Sequence, residues 1–245
     1  MSIIEKANLP QGSVSAAVIG KCGKEFESFV SSFGVELLFF RENKKTDSAI
    51  KDHADVNVLY LGKGQAVLDT SQVDLAERLK QRGIDVRYAS KEVSGAYPGD
   101  CRLNIALVGK RAFGRFDIAD KSVRELEGIR KINVRQGYAK CSVCVVNENA
   151  IITDDASICK AAESEGLRVL LVEKGSIALP GHGYGFIGGA SALIGKNHLL
   201  FFGDITRHKS FEEIETFLKK EDCLFSYPDN YPLTDIGGMV AIEER

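Results

Sequence analysis

The sequence predicts an α/β fold in which five similar units close into a pseudo-fivefold propeller, helices outside and strands lining a central channel. Three observations carry this. A short apolar strand recurs as AAVIG (16–20), QAVLD (65–69), RAFGR (111–115), NAIIT (149–153) and HLLFF (198–202). Each is followed by a polar, cap-like residue or loop and then by a stretch with helical spacing of its apolar residues. Finally, GFIGGASALIG (185–195) is echoed by TDIGGMVAIE (234–243), as if one strand were written twice. Repetition at a fixed period of this size is the mark of arrays and propellers.

The elements follow in order within each unit. Unit one (14–62) reads as AAVIG, the helix GKEFESFVSSFG, the strand VELLFF (35–40) and the strand DVNVLYLG (55–62). Unit two (63–109) has the helix SQVDLAERLKQRG, in which Val73, Leu75, Ala76 and Leu79 form an apolar stripe and Gly83 ends it. The strands IDVRYA (84–89) and CRLNIALVG (101–109) complete that unit. Unit three (110–148) has the helix ADKSVRELEGI and the strands KINV (131–134) and KCSVCVVNE (140–148). Unit four (149–196) has a helix capped by Asp155, with Ile158, Ala161 and Ala162 as its apolar stripe and Gly166 as its stop. The strands LRVLLV (167–172) and FIGGASALIG (186–195) follow. Unit five (197–245) has the helix KSFEEIETFLKK and the strands CLFSY (223–227) and DIGGMVAIEE (235–244). The first unit begins, and the last ends, in an apolar strand. Closing the ring removes both exposed edges, so one domain spanning 1–245 is expected.

Composition narrows the function. The 245 residues carry 32 Lys+Arg against 34 Asp+Glu, with a pI near 6.1, which gives no electrostatic footprint for DNA. No apolar run reaches the length of a membrane span, and MSIIEKANLP lacks the basic start and long apolar stretch of a secretory leader. A cytoplasmic protein is expected. The six cysteines are then expected to be reduced. Cys141-x-x-Cys144 reads as part of a strand, where residues three apart face opposite sides, so no metal or redox pair is expected there, and no cofactor. Gly183-Tyr-Gly185-Phe-Ile-Gly188 matches G-x-G-x-x-G, but it opens a strand rather than a helix and is discounted as a dinucleotide site.

Five strand–helix–strand units closing on themselves resemble the pentein, or guanidine-modifying-enzyme, superfamily. The stretches HADVNV, YPGDCRLNIALVGKRA, NVRQGYAKCSVCVVNENAIITDD and YGFIGGASALIG resemble, more closely, an uncharacterised bacterial family of that fold. The superfamily includes arginine deiminases, amidinotransferases, dimethylarginine dimethylaminohydrolases and non-catalytic relatives. Its enzymes use a cysteine nucleophile on the last strand, a histidine in the fourth unit and carboxylates that hold the guanidinium. His182 stands four residues before Phe186, as the resemblance requires of the histidine. The nucleophile position falls near Gly237 and Gly238, where there is no cysteine. The resemblance therefore implies a non-catalytic binder of a small molecule or a macromolecule. The alternative is a hydrolase or transferase acting on a guanidino group or amide, using His182, acidic residues such as Asp235, and Cys22 or Cys101 as a substitute nucleophile.

Superposing the units places Asp55, Arg102, Lys140, Gly188 and Gly237 at one level of the channel, with Asn57, Asn104, Ser142, Ala190 and Met239 two residues on. Asp55, Asp100, Arg102, Asn104, Lys140, Gly188 and Gly237 are thus the candidate ligand-binding residues, with His53 and Asp235 on the same rim. A small guanidino or amino-acid-like ligand fits that set; a protein or RNA partner stays open. The same charges could instead fill the channel as a network, the glycines could mark crowding rather than space, and Asp100 and Asp235 could be turn or cap residues. His198 and His208 read as surface residues.

Overall fold

The computed structural model describes residues 1–95 and 97–245. The chain opens with β1 (Ser2–Ile3) and β2 (Val14–Ile19), then α1 (Lys24–Ser32), β3 (Glu36–Phe39), the single turn α2 (Ala54–Asn57) and β4 (Val58–Gly62). It continues through β5 (Gln65–Leu68), α3 (Val73–Gln81), β6 (Asp85–Tyr88), β7 (Ala106–Val108), β8 (Arg111–Gly114), α4 (Lys121–Arg124) and β9 (Arg130–Asn133). Then come β10 (Val143–Asn147), β11 (Ala150–Thr153), α5 (Ala156–Ser164), β12 (Arg168–Leu171), β13 (Ser191–Gly195), β14 (His198–Phe201), α6 (Phe211–Lys220), β15 (Leu224–Ser226) and β16 (Met239–Glu244). The result is a mixed α/β fold of five small sheets.

The sheets share one plan. In four of them, a hairpin joins two antiparallel strands, a helix crosses over, and the next strand returns parallel, as in β4–β5–β6 and β10–β11–β12. The hairpins join the last strand of one sequence unit to the first strand of the next, so the sheets interlock the units. The sheet of the first unit is completed from the far end of the chain. β16 lies between β1 and β2, antiparallel to both, with Val240 opposite Val18 and Glu244 opposite Ser2. Neighbouring sheets meet along their leading strands, β16 against β4 and β13, and β10 against β7 and β13.

α1, α3, α5 and α6 form where the apolar spacing predicts and pack one face on the sheets, whereas ADKSVRELEGI makes only the single turn α4 and Val73 of the expected α3 stripe is 53 % exposed. On α3, Leu75, Ala76 and Leu79 are buried; each leucine contributes roughly 1.5–3 kcal/mol by that burial. The Asp155 carboxylate accepts from the backbone N–H groups of Ser157 and Ile158, satisfying donors that the first turn of α5 would otherwise leave free. The core is divided into two clusters. One is built around Phe26, Leu68, Leu103 and Ile242, the other around Phe113, Ile152, Phe201 and Leu218.

One expectation is corrected. The leading halves of the long runs 55–62, 101–109, 140–148, 186–195 and 235–244 are turns, and the strands begin three or more residues later. Asp55, Arg102, Lys140, Gly188 and Gly237 therefore stand on the turns that enter the strands. Polar groups concentrate there because a turn frees side chains and backbone N–H groups that a ladder would consume. His208 is also buried rather than superficial, its Nδ1 accepting from Ser210 N at 3.0 Å.

Candidate functional site

The entering turns meet at a cavity of about 260 Å³, whose lining includes His53, Tyr138, Cys141, His182, Phe186 and Asp235. Three features of the sequence position these groups. Gly237 has φ +77°, the left-handed region, and a Cβ there would fall inside the His53 side chain. Its N–H donates to Asp235 Oδ1 at 2.9 Å, and its carbonyl accepts from Asp55 N at 3.0 Å. One glycine thus ties the last unit's turn to the turn that carries His53 and Asp55. A Cβ on Gly189 would likewise occupy the Asp235 carboxylate, and one on Gly188 would strike the carbonyls of Lys140 and Val143. The doubled Ile-Gly-Gly is explained by close approach of side chains and backbone, not by empty space.

The floor of the cavity is a buried polar cluster. Cys141 Sγ donates to Asp55 Oδ2 at 2.9 Å and lies 3.1 Å from Asn104 Nδ2. Asn104 fixes this arrangement from four directions. Its Nδ2 also donates to the Asp55 carbonyl at 3.1 Å, and its Oδ1 accepts from Lys140 N at 2.7 Å and Cys141 N at 3.2 Å. His53 Nδ1 lies 3.7 Å from Asp235 Oδ1. Asp235 Oδ2 accepts from Phe186 N at 2.9 Å. His53, Asp55, Cys141 and Asp235 are each at most 3 % exposed. Two atoms of the cluster, His53 Nδ1 and Asp55 Oδ1, are buried without a hydrogen-bond partner. Such atoms are costly in an interior and point to an absent partner or to chemistry.

Burial dominates the electrostatics. It pushes the Asp55 carboxyl up to about 6, with Asp235 adding in the same direction while His53 and Lys140 oppose. Burial, then the neighbouring Asp55 carboxylate, hold the Cys141 thiol well above its ordinary value. Within the cluster the thiol is therefore the proton donor and Asp55 the acceptor. The cavity wall is aromatic: Tyr138 and Phe186 lie 6.3 Å apart between ring centroids, and Tyr184 meets Phe186 edge-on at 5.9 Å. Behind Tyr138, Asp100 Oδ2 accepts its hydroxyl at 2.6 Å.

The residues singled out in the sequence divide. Asp55, Asn104, Lys140, Gly188, Gly237 and Asp235 converge as described, and Lys140 lines two small voids of about 10 and 20 Å³ behind the cluster. Asp100 acts through Tyr138. His182 lines the mouth rather than the floor, its side chain half-exposed and its Nε2 3.4 Å from Asp47 Oδ1. Neither Arg102 nor Lys140 makes an ion pair among the described residues, so the charge network considered for the channel is not built from their salt bridges. Of the substitute nucleophiles, Cys22 lines an adjoining pocket that also touches His53 and Asp235, and burial and Glu27 push it up to about 11, while burial and Asp100 push Cys101 up to about 12. Neither lies in the cluster.

The residue that sequence reasoning missed is Cys141. The apolar run reads it as strand; it sits in the turn before β10, while Cys144 sits within β10. The Cys141 thiol meets Asp55 across the turns of two units. His53, noted only as a rim residue, is the cluster's imidazole.

Comparison with known proteins bears on the fold. Solved structures that match include an amidinotransferase of saxitoxin biosynthesis from Microseira wollei, at 10% identity and TM-score 0.63, covering 99% of this chain and 97% of that one. Another is the inosamine-phosphate amidinotransferase of Streptomyces griseus, at 9% identity and TM-score 0.62, covering 100% and 97%. A third is the dimethylarginine dimethylaminohydrolase of Pseudomonas aeruginosa, a cysteine-to-serine mutant complexed with citrulline, at 9% identity and TM-score 0.57, covering 93% and 96%. This chain has their fold, that of the penteins. No curated protein matches the sequence. The model of a family of unknown function (DUF6873) matches residues 17–240.

Proposed function

This chain belongs to the family of unknown function DUF6873, and from that premise we propose that it is an enzyme that cleaves or transfers a C–N bond of a guanidino compound, with Cys141 as the nucleophile. The observation that carries this is the hydrogen bond from the Cys141 thiol to Asp55 on the floor of a cavity shared with His53 and Asp235. The non-catalytic reading of the sequence rested on a missing cysteine near Gly237, and the structure supplies a cysteine from another unit. The finer architecture that fits the pairing of β16 with β2 and the contacts between neighbouring sheets is a closed five-bladed ring, a single domain with the cavity at its centre.

The pocket's chemistry suits a planar cation. Asp235 is buried, fixed by two backbone N–H groups, and keeps lone pairs for a guanidinium fork. The rings of Tyr138, Tyr184 and Phe186 offer π-faces to the same cation. The positive charge of an entering substrate opposes the burial that keeps Cys141 protonated, so the thiol proton passes to Asp55 when the cation is bound. The thiolate then attacks the guanidinium carbon. The carbon–nitrogen bond to the leaving amine breaks, and that amine departs with a proton delivered by His53 or, from the mouth, His182. The resulting thiouronium is resolved by water, giving a ureido product and ammonia or an amine in all, or by a second amine, giving amidino transfer. His182 stands at the mouth, where it also discriminates the substrate's far end. Among the described residues no helix is long and apolar enough to cross a membrane, and a cytoplasmic location suits a free thiol catalyst.

The test is a panel of arginine, methylarginines, agmatine, creatine and related guanidino compounds, with release of citrulline-type ureido product, urea, ammonia or amine as the readout. Turnover that falls at least about 10³-fold in Cys141→Ser, with the melting temperature largely kept, supports the proposal. Turnover that survives in Cys141→Ser, or no binding and no turnover with any compound, overturns it.

A further inference from the structure

We infer that His53, Asp55 and Cys141 form a binding site for a single zinc-class divalent ion, with its remaining coordination position facing the cavity. The donor atoms of the three side chains lie within 4.8 Å of one another, and all three residues are buried. Bonds of about 2.0–2.3 Å to a tetrahedral ion place ligand atoms roughly 3–4 Å apart, so the trio needs to draw together by about 1–2 Å at most. The donor set is one imidazole, one carboxylate and one thiolate, which suits zinc and cobalt(II) and disfavours magnesium and calcium.

A second observation points to a ligand independently of the clustering. His53 Nδ1 and Asp55 Oδ1 are buried and without partners in an otherwise well-satisfied cluster. An ion satisfies the carboxylate directly. It satisfies the imidazole through the neighbouring carboxylate, because a ligating histidine ordinarily donates its other ring N–H to such a group. Asp235 Oδ1, 3.7 Å from His53 Nδ1, is that group, which leaves Nε2 for the ion. The Asn104 bonds to the backbone of Asp55, Lys140 and Cys141 hold the ligands' turns together. His53 and Cys141 line the cavity, so a water or a small ligand completes the coordination from that side.

Binding displaces the Cys141 thiol proton, together with any proton on Asp55, into solvent. The ion then holds the sulfur lone pair that attack on a guanidinium carbon would need. Ion binding and thiol attack are alternative uses of the same atom. The site stands on its own geometry and does not depend on the guanidino reading.

The experiment is titration of chelator-treated protein with cobalt(II) and zinc chlorides. The expected result is a single equivalent of cobalt bound with a thiolate-to-cobalt charge-transfer band and tetrahedral d–d bands, displaced by zinc, with calorimetry in buffers of different ionisation enthalpy showing proton release. The charge-transfer band should vanish in Cys141→Ser. Affinity should fall about 10–100-fold in Asp235→Asn, which leaves all three ligands in place. Cys22→Ser and Cys159→Ser should change neither. If Cys141→Ser does not fold, loss of affinity in His53→Ala with an unchanged circular dichroism spectrum supports the same conclusion. No equivalent bound, or a charge-transfer band that persists in Cys141→Ser, overturns the inference. If metal loading raises turnover of a guanidino compound, the site stands and the thiol-attack reading falls; if loading suppresses turnover, both stand.

Discussion

Asp55 is held by its surroundings in a state that suits chemistry better than stability. Its carboxyl titrates near 6 in the folded protein against 3.8 for a free aspartate, chiefly through burial. The folded state therefore binds the proton more tightly than the unfolded chain. The stability this provides is fully present below about pH 3.8 and is lost as pH rises to about 6, an effect of about 3 kcal/mol in magnitude. Asp55→Asn keeps the shape and an acceptor for the Cys141 thiol but removes the charge. At pH 7.5 the variant should melt roughly 5–10 °C higher than the parent, a gap that closes toward pH 4, while turnover is lost. Thermal scans across that pH range check this; parallel curves for the two proteins would show that Asp55 carries no such burden. Legibility was poorest at this scale. Asp55 was legible as a candidate, but its partner was not: the Cys141–Asp55 bond spans 86 residues, so no local pattern could announce it.

At the scale of the element, the informative segments are the turns that enter the strands. The sequence marks each as polar residues followed by a β-like run; α1, α3, α5 and α6 fall where the apolar periodicity puts them, while α2 occupies residues read as strand and α4 is cut to one turn. The error was to extend the strands back through the polar residues. Alternation of side chains then seemed to separate Cys141 from Cys144 by face, whereas the real division is between a turn and a strand. The glycines of these turns separate two costs. Gly83 and Gly237 both have φ near +80°, at +82° and +77°, but a Cβ on Gly83 meets nothing within 4 Å whereas one on Gly237 meets His53. Gly83→Ala should destabilise by about 1 kcal/mol, the left-handed penalty alone. Gly237→Ala should cost about 2–4 kcal/mol and should also displace His53, weakening cobalt binding. Denaturant midpoints of the two variants measure the difference; equal losses would mean that Gly237 is a turn residue and nothing more.

For the molecule as a whole, the five small sheets were readable because copies of one plan reinforce each other. The interlocking of units was also foreshadowed, since each hairpin turn lies at a unit boundary. What the repeat could not show is where its copies differ in three dimensions. The buried cluster draws Asp55 and His53 from the first unit, Cys141 from the third and Asp235 from the last, and the last unit's β16 completes the sheet of β1 and β2. A chain ending at Gly238 leaves β1 and β2 unpaired on that side and exposes the apolar faces of Val240 and Ile242's neighbours. It should lose its cooperative unfolding transition and aggregate; a folded monomer with an intact melting transition would show that the strand is dispensable.

The most direct measurement of the central claim is intact-mass and peptide analysis of protein acid-quenched during turnover with the best guanidino substrate of the panel. The expected result is a thiouronium adduct on the peptide bearing Cys141, absent in Cys141→Ser and suppressed by zinc. Turnover with no adduct at Cys141, or an adduct carried by one of the other cysteines, would contradict it.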